Sequence, residues 1–306
     1  MAASSSSALA GRTALVVGGT NGIGRGLAEW LAGQGASVVV AGRSEERGRE
    51  VVEAMRAANA DGRHAFAQVD AMRIRDINRF CAEFQQAHDR LDHLVLTAGI
   101  ASMAGYTPTE EGIDQKLAVH YYGRVALILG LVPLLEATAA KGADVRVLSV
   151  LSGGVHRPYT KYREDPELVR NFSIPNAANA AGFYNDLALD ALAREHPTIA
   201  FAHAAPGFVG TAWGSDFNPL LRGGVRLLQR LFSKSPAECA RLIGPALTAP
   251  EYAKGFHIVD QYGRPGKVTA LQDEARDFVW AHTKEVLARA AGDGDGASAA
   301  PAGSSS

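Results

Sequence analysis

Ser152 and His156 stand four residues apart just after the apolar run 145–150, and both side chains suit proton chemistry. A hydroxyl can hold a substrate oxygen, and a histidine titrates in the range where acid–base catalysis at neutral pH operates. His120 and Tyr184 are two further acid–base candidates. A free tyrosine titrates at roughly 10, so it needs a neighbouring cation to act at neutral pH. Tyr159 and Arg163 have that spacing, but they lie between Pro158 and Pro166 in an expected loop. His203 ends an apolar strand and reads as structural. Asp186 and Asp190, one helical turn apart, read as solvated or capping charges.

A second chemistry needs only backbone. The stretch Val16 to Gly24 places Gly18, Thr20, Asn21, Gly22, Ile23 and Gly24 between an apolar strand and a helix. Glycines there permit a tight turn and let N–H groups approach a pyrophosphate at the helix N-terminus.

The elements that must position these residues alternate regularly. Strands are expected at 13–17, 37–41, 64–69, 91–97, 145–150 and 199–204, with a seventh ending near Val259. Helices are expected at 22–34, 44–58, 73–88, 111–140, 176–195 and 273–290. That alternation implies βαβ units: a doubly wound, mostly parallel Rossmann sheet of about seven strands with helices on both faces, an α/β fold. The Pro/Gly-interrupted segments 152–175 and 207–235 both follow strands. They should therefore lie over the carboxyl edge of the sheet, where such folds bind ligands.

In combination these motifs resemble the short-chain dehydrogenase/reductase family over residues 11–290. The family loop T-G-x-x-x-G-[IL]-G is matched at Gly18, Gly22, Ile23 and Gly24, with Val17 in place of the threonine. Asp70 is similar to the family's adenine-contacting aspartate. Ala98 and Gly99 match the end of N-N-A-G, and Ser152 resembles the catalytic serine after the fifth strand. Pro206, Gly207, Val209 and Thr211 resemble P-G-x-V-x-T, which meets the nicotinamide. The long loop after Ser152 and the closing helix look most like the retinol-dehydrogenase-like branch and related fungal reductases.

The resemblance implies a nicotinamide cofactor, and the end of the second strand selects its form. An NAD site usually places a carboxylate there; this chain has Arg43 and Ser44, which suit a 2′-phosphate and hence NADP(H). The resemblance also implies a serine, a tyrosine, a lysine and an asparagine at the reacting centre. Ser152 keeps its place and His120 falls at the asparagine. Gly182 falls at the tyrosine and Asp186 at the lysine. Tyr184 is then displaced by two residues, about 200° around a helix. No Tyr and Lys are in register.

Three readings follow. The first is an NADP(H)-dependent oxidoreductase acting on a carbonyl or alcohol of a small apolar substrate through an atypical proton relay of Ser152 with Tyr184, His156 or His120. The second is a non-redox isomerase, lyase or cyclase on the same scaffold. The third is a non-catalytic nucleotide-binding protein.

Bulk properties narrow the partners. Lys+Arg 31 against Asp+Glu 32 leaves no charge excess for nucleic acid. Cys81 and Cys239 lack metal spacing and suit a reducing, cytoplasmic compartment. The longest apolar run, 125–135, is broken by Gly130 and Pro133, so no membrane span is expected. Residues 1–10 and 292–306 read as disordered tails around one domain, 11–291. The apolar insert 207–235, with Phe208, Trp213, Phe217 and Leu220, reads as a substrate lid, with a membrane-surface patch or a dimer contact as alternatives. The resemblance adds a homodimer as one arrangement, paired through the helices 111–140 and 176–195.

Overall fold

The structure, a computed structural model, describes residues 8–209 and 234–292. Seven runs rich in Val, Ile, Leu and Ala form the strands. These are β1 (Thr13–Val17), β2 (Ser37–Gly42), β3 (Ala65–Gln68), β4 (His93–Leu96), β5 (Val145–Val150), β6 (Ile199–Ala204) and β7 (Phe256–Val259). They make one sheet in the order β3-β2-β1-β4-β5-β6-β7, with every pair parallel. Strand order reverses between β1 and β4, which opens the crevice at their carboxyl ends.

The helices are α1 (Gly22–Gly33), α2 (Glu45–Ala58), α3 (Ile74–Ala87), α4 (Gln115–Ala140), α5 (Ile174–Glu195), α6 (Pro236–Ile243) and α7 (Gln272–Gly292). Alternate strand residues face opposite layers. Leu15, Val17, Leu94 and Leu96 pack with α3, α4 and α5. Val16, Val40, Val95 and Leu148 pack with α1, α2 and α6. Helix α7 lies on α5: Arg276 reaches Asp190 at 2.9 Å and Trp280 Nε1 donates to Glu195 at 2.7 Å. Tyr121 of α4 donates to Thr283 of α7 at 2.5 Å, because the Thr283 hydroxyl is itself spent on the Val279 carbonyl. The chain's own last helix thus covers part of α5.

Some boundaries differ from expectation for physical reasons. Leu9 is buried and its N–H bonds the Gln34 carbonyl at 2.9 Å, so ordered packing starts ahead of residue 11. The helix expected from 111 starts at Gln115, with Asp114 accepting from the Lys116 amide as its cap. Glu111 instead serves another helix: its buried carboxylate accepts the first amides of α3, Ile74 at 2.8 Å and Arg75 at 3.0 Å. Helix α4 is long and apolar enough to cross a membrane by length and composition, yet most of it is buried within the fold. Residues 210–233 of the lid expected at 207–235, the tails 1–7 and 293–306, and the candidate Thr211 lie outside the described residues.

Candidate active site

The loop after β1 is shaped by close backbone approach. Gly18 has φ +85°, and a Cβ there would lie 2.5 Å from the Ala98 nitrogen on the loop after β4. Only glycine fits, so the two loops that flank the strand-order switch can touch. Asn21 caps α1 by accepting the Gly22 amide at 2.8 Å, and the first turn of α1 holds no acidic residue. Gly22, Ile23 and Gly24 follow in that turn. This N-terminus is open to an anion and free of like charge.

At the end of β2, Arg43 is exposed. Ser44 caps α2, its oxygen accepting the Arg47 amide at 3.4 Å, which leaves its own hydrogen free to donate. Thr20 packs toward Gly42 at the same edge. Asp70 turns one oxygen to the Met72 amide at 3.0 Å, shaping the loop after β3. Beyond β6, the Pro206 carbonyl accepts from Lys234, Gly207 has φ +71°, and Val209 pairs with Lys234. These residues all converge on the carboxyl edge, as a dinucleotide site requires.

The reacting end is built over α5. A Cβ on Gly182 would lie 2.4 Å from Ser152 Oγ and 2.6 Å from His156 Cγ. Gly182 therefore faces Ser152, and the His156 ring fills the room that a larger residue at 182 would occupy. Ser152 Oγ is 3.4 Å from His156 Nδ1, and that nitrogen lies 2.8 Å from the Ser152 carbonyl. The other ring nitrogen lies 3.0 Å from Asp186 Oδ2 and 2.9 Å from Thr269 Oγ1. Thr269 also donates to Asp186 Oδ2 at 2.9 Å.

Asp186 is one helical turn beyond Gly182, so both lie on the same face of α5. It is fully buried, and its second oxygen meets His203 Nδ1 at 2.5 Å. His203 Nε2 accepts the Ser152 amide at 3.1 Å. Burial would raise the Asp186 carboxyl, but its contact with His203 and the hydrogen bonds from His156 and His203 hold it below the ordinary carboxylate value. His203 is pushed below the usual imidazole value by burial, although Asp186 works against that. Its neutral form, with the hydrogen on Nδ1, matches its two partners.

A second buried network lies beneath. Arg124 donates to Ser149 Oγ at 2.8 Å, to the Val150 carbonyl at 2.9 Å and to the Ala98 carbonyl at 2.8 Å. Burial pushes the guanidinium down to about 9, which leaves it charged at neutral pH. Among the described residues no carboxylate pairs with it. Ser149 donates to Asn185, whose amide donates to the carbonyl of His120 at 2.8 Å. That carbonyl is presented by a π turn, Ala118–Tyr122, which widens α4 at this point.

The structure separates the four acid–base candidates. Ser152 and His156 come together. His120 is placed under the loop after β4, where Nε2 accepts the Ile100 amide at 3.0 Å beside Gly99. Burial, then the charges of Arg124 and Lys116, push it down to about 3. It is a neutral acceptor that shapes the loop and makes no bond to Ser152. Tyr184 points away from Ser152 into a cluster with Tyr121 and Tyr159. Its hydroxyl donates to the Pro166 carbonyl at 3.1 Å, and burial raises it well above the ordinary phenol value. The 200° displacement in sequence becomes a displacement in space. Tyr159 likewise donates to the Asp165 carbonyl, while Arg163 stacks over Tyr162 and Phe278.

One expectation is corrected: Asp186 is neither solvated nor a cap, since it holds two histidines and a threonine. His203 has a structural place, accepting the Ser152 amide. Thr269, Arg124 and Asn185 carried no signal in the sequence, because loops and helices far apart in the chain bring them together.

Comparison with known proteins agrees with this architecture. The short chain dehydrogenase family pattern matches residues 12–162. Oxidoreductase AN1596 of Emericella nidulans is 37% identical over 206 residues, covering 67% of this chain and 60% of that protein. The polyprenol dehydrogenase of Mus musculus is 34% identical over 296 residues, covering 94% of this chain and 87% of that protein. Among solved structures, the Pseudomonas aeruginosa RhlG/NADP active-site complex matches with a TM-score of 0.62 at 23% identity, covering 83% of this chain and 96% of that one. At that identity the likeness is one of fold.

Proposed function

The chain belongs to the short-chain dehydrogenase/reductase family, and from that premise we propose that it is an NADP(H)-dependent oxidoreductase interconverting a carbonyl and an alcohol. The observation that carries this reading is the His156 ring lying against Ser152 in the room left by Gly182. When bound, the nicotinamide supplies or accepts a hydride at the substrate carbon. The open N-terminus of α1, the Gly18 approach and the pair Arg43 and Ser44 fit a dinucleotide with a 2′-phosphate.

Ser152 Oγ donates a hydrogen bond to the substrate oxygen and fixes its direction. An oxygen held there lies beside His156 Nδ1, which gives it a proton in reduction and takes one in oxidation. His203, through the Ser152 amide, keeps the serine in place. Val155, Phe208 and Val268 stand exposed on the loops leaving β5, β6 and β7, which supports an apolar substrate.

The test is NADPH oxidation with a panel of aldehydes and ketones. Ser152→Ala and His156→Ala should each lower kcat/KM by about a hundredfold or more. Arg43→Ala should weaken NADPH and spare NADH. An unchanged rate in Ser152→Ala removes the assigned role. The register implied by the resemblance supports a non-redox isomerase, lyase or cyclase instead: it sets an anion, Asp186, at the family's lysine. Product formed without change in nicotinamide absorbance would identify that alternative. Tight nucleotide binding with no turnover would identify a binding protein.

A further inference from the structure

We propose that Asp186 is a positioning residue that keeps His156 doubly protonated, so that an imidazolium in front of Gly182 is the proton donor of this site. The proposal rests on the oxidoreductase reading above and adds the source of the proton.

Counting hydrogens gives the argument. The Ser152 carbonyl can only accept, so the nitrogen 2.8 Å from it, His156 Nδ1, carries a hydrogen. The Ser152 amide can only donate, so His203 Nε2 is bare and His203 Nδ1–H points at Asp186 Oδ1. Thr269 spends its one hydrogen on Asp186 Oδ2. His156 Nε2 then faces two oxygens, Thr269 Oγ1 and Asp186 Oδ2, with no hydrogen left between them unless the nitrogen supplies it. A bare Nε2 would set its lone pair against a carboxylate.

Charge balance gives the same answer. The side chains of Asp186 and His156 are 0% and 2% exposed. A buried carboxylate with three donors still needs a counter-charge. The groups facing it are His156 from the loop after β5, His203 from β6 and Thr269 from the loop after β7. His203 is fixed neutral, so the cation is His156. Arg124 of α4 is committed to Ser149 and two backbone carbonyls.

The electrostatics are the inverse of the family's. A lysine on this helix face would favour loss of a proton from a neighbouring phenol. An aspartate there favours retention of a proton by a neighbouring imidazole. In reduction the Nδ1–H, shared between the Ser152 carbonyl and the substrate oxygen held beside Ser152 Oγ, turns to that oxygen; the N–H bond breaks and its electron pair stays on nitrogen. The proton would join the substrate oxygen, the carbonyl carbon having taken a hydride that a bound NADPH would supply, leaving NADP+. His156 becomes neutral and keeps its Nε2 hydrogen on Asp186, so the ring stays in place. Water returns the proton to Nδ1.

The experiment is 15N NMR of the full chain labelled at histidine, with His156→Gln used for assignment. Both ring nitrogens of His156 should show the protonated signature at neutral pH, and His203 the Nδ1–H tautomer alone. In Asp186→Asn, His156 should lose one ring hydrogen. The kcat of NADPH-dependent reduction should fall by about a hundredfold, while NADPH affinity, read by fluorescence, stays within about twofold. A bare nitrogen on wild-type His156 overturns the proposal, whether or not any variant folds. So does Asp186→Asn that retains both ring hydrogens and full kcat. Two ring hydrogens without turnover on any carbonyl would overturn the oxidoreductase reading and leave the charge assignment to Asp186 standing.

Discussion

At Gly182 two opposing effects can be weighed. In a helix interior, replacing glycine by alanine normally gains about 0.5–1 kcal/mol from backbone entropy. Here the new Cβ would lie 2.4 Å from Ser152 Oγ and 2.6 Å from His156 Cγ. The ring is held at both nitrogens, so it cannot yield cheaply, and overpacking of this kind costs about 1–3 kcal/mol. Gly182→Ala should therefore lower Tm rather than raise it, and should abolish reduction while leaving NADPH binding intact. Thermal melts and fluorescence titration check the two halves separately. The family resemblance implied a register with Gly182 and Asp186 at the tyrosine and lysine. What the sequence could not convey is that His156 lies against Gly182 and meets Asp186. That contact joins a loop to a helix across 30 residues of chain, and no local pattern encodes it.

Helix α5 presents this face because both ends of its active turn are tied. Ser173 caps it by accepting the Asn176 amide at 3.1 Å, and Ser173→Ala should cost about 1 kcal/mol in urea unfolding. Asn185 joins it to its neighbours, accepting from Ser149 and donating to the His120 carbonyl. Asn185→Leu removes the acceptor of the buried Ser149 hydroxyl and a donor to the His120 carbonyl, and should cost about 2–3 kcal/mol, measured in the same experiment. The alternation of strand and helix was legible from apolar runs and caps, and all seven strands lie where those runs are. The π turn was not legible: residues 118–122 contain no glycine or proline, and the contact made there, from Asn185 to the His120 carbonyl, joins helices 65 residues apart. The true start of α4 was hidden for a related reason. Glu111 looks like a helix residue, yet it caps α3 from across the fold.

Across the whole molecule, buried neutral histidines set the response to acid. Burial pushes His93 down to about 4, and neither of its ring nitrogens has a hydrogen-bond partner. His120, as described, falls to about 3. Both regain the ordinary value of about 6.5 on unfolding, so the unfolded chain binds more protons below that pH. Stability should thus be intact above pH 6.5 and fall on acidification, by about 1.4 kcal/mol per pH unit for each group. The loss ends near pH 4 for His93 and near pH 3 for His120. His93→Leu forfeits no hydrogen bond and should flatten part of this slope, which denaturant titrations at neutral and acid pH would show. The docking of α7 onto α5 acts at the same scale. A helix supplied in cis covers its face without any dependence on mass action, whereas a second copy would have to be recruited from solution. The unfolding midpoint should accordingly be independent of protein concentration. A chain ending before Gln272 should acquire that dependence, as the bared face of α5 seeks its cover from another molecule.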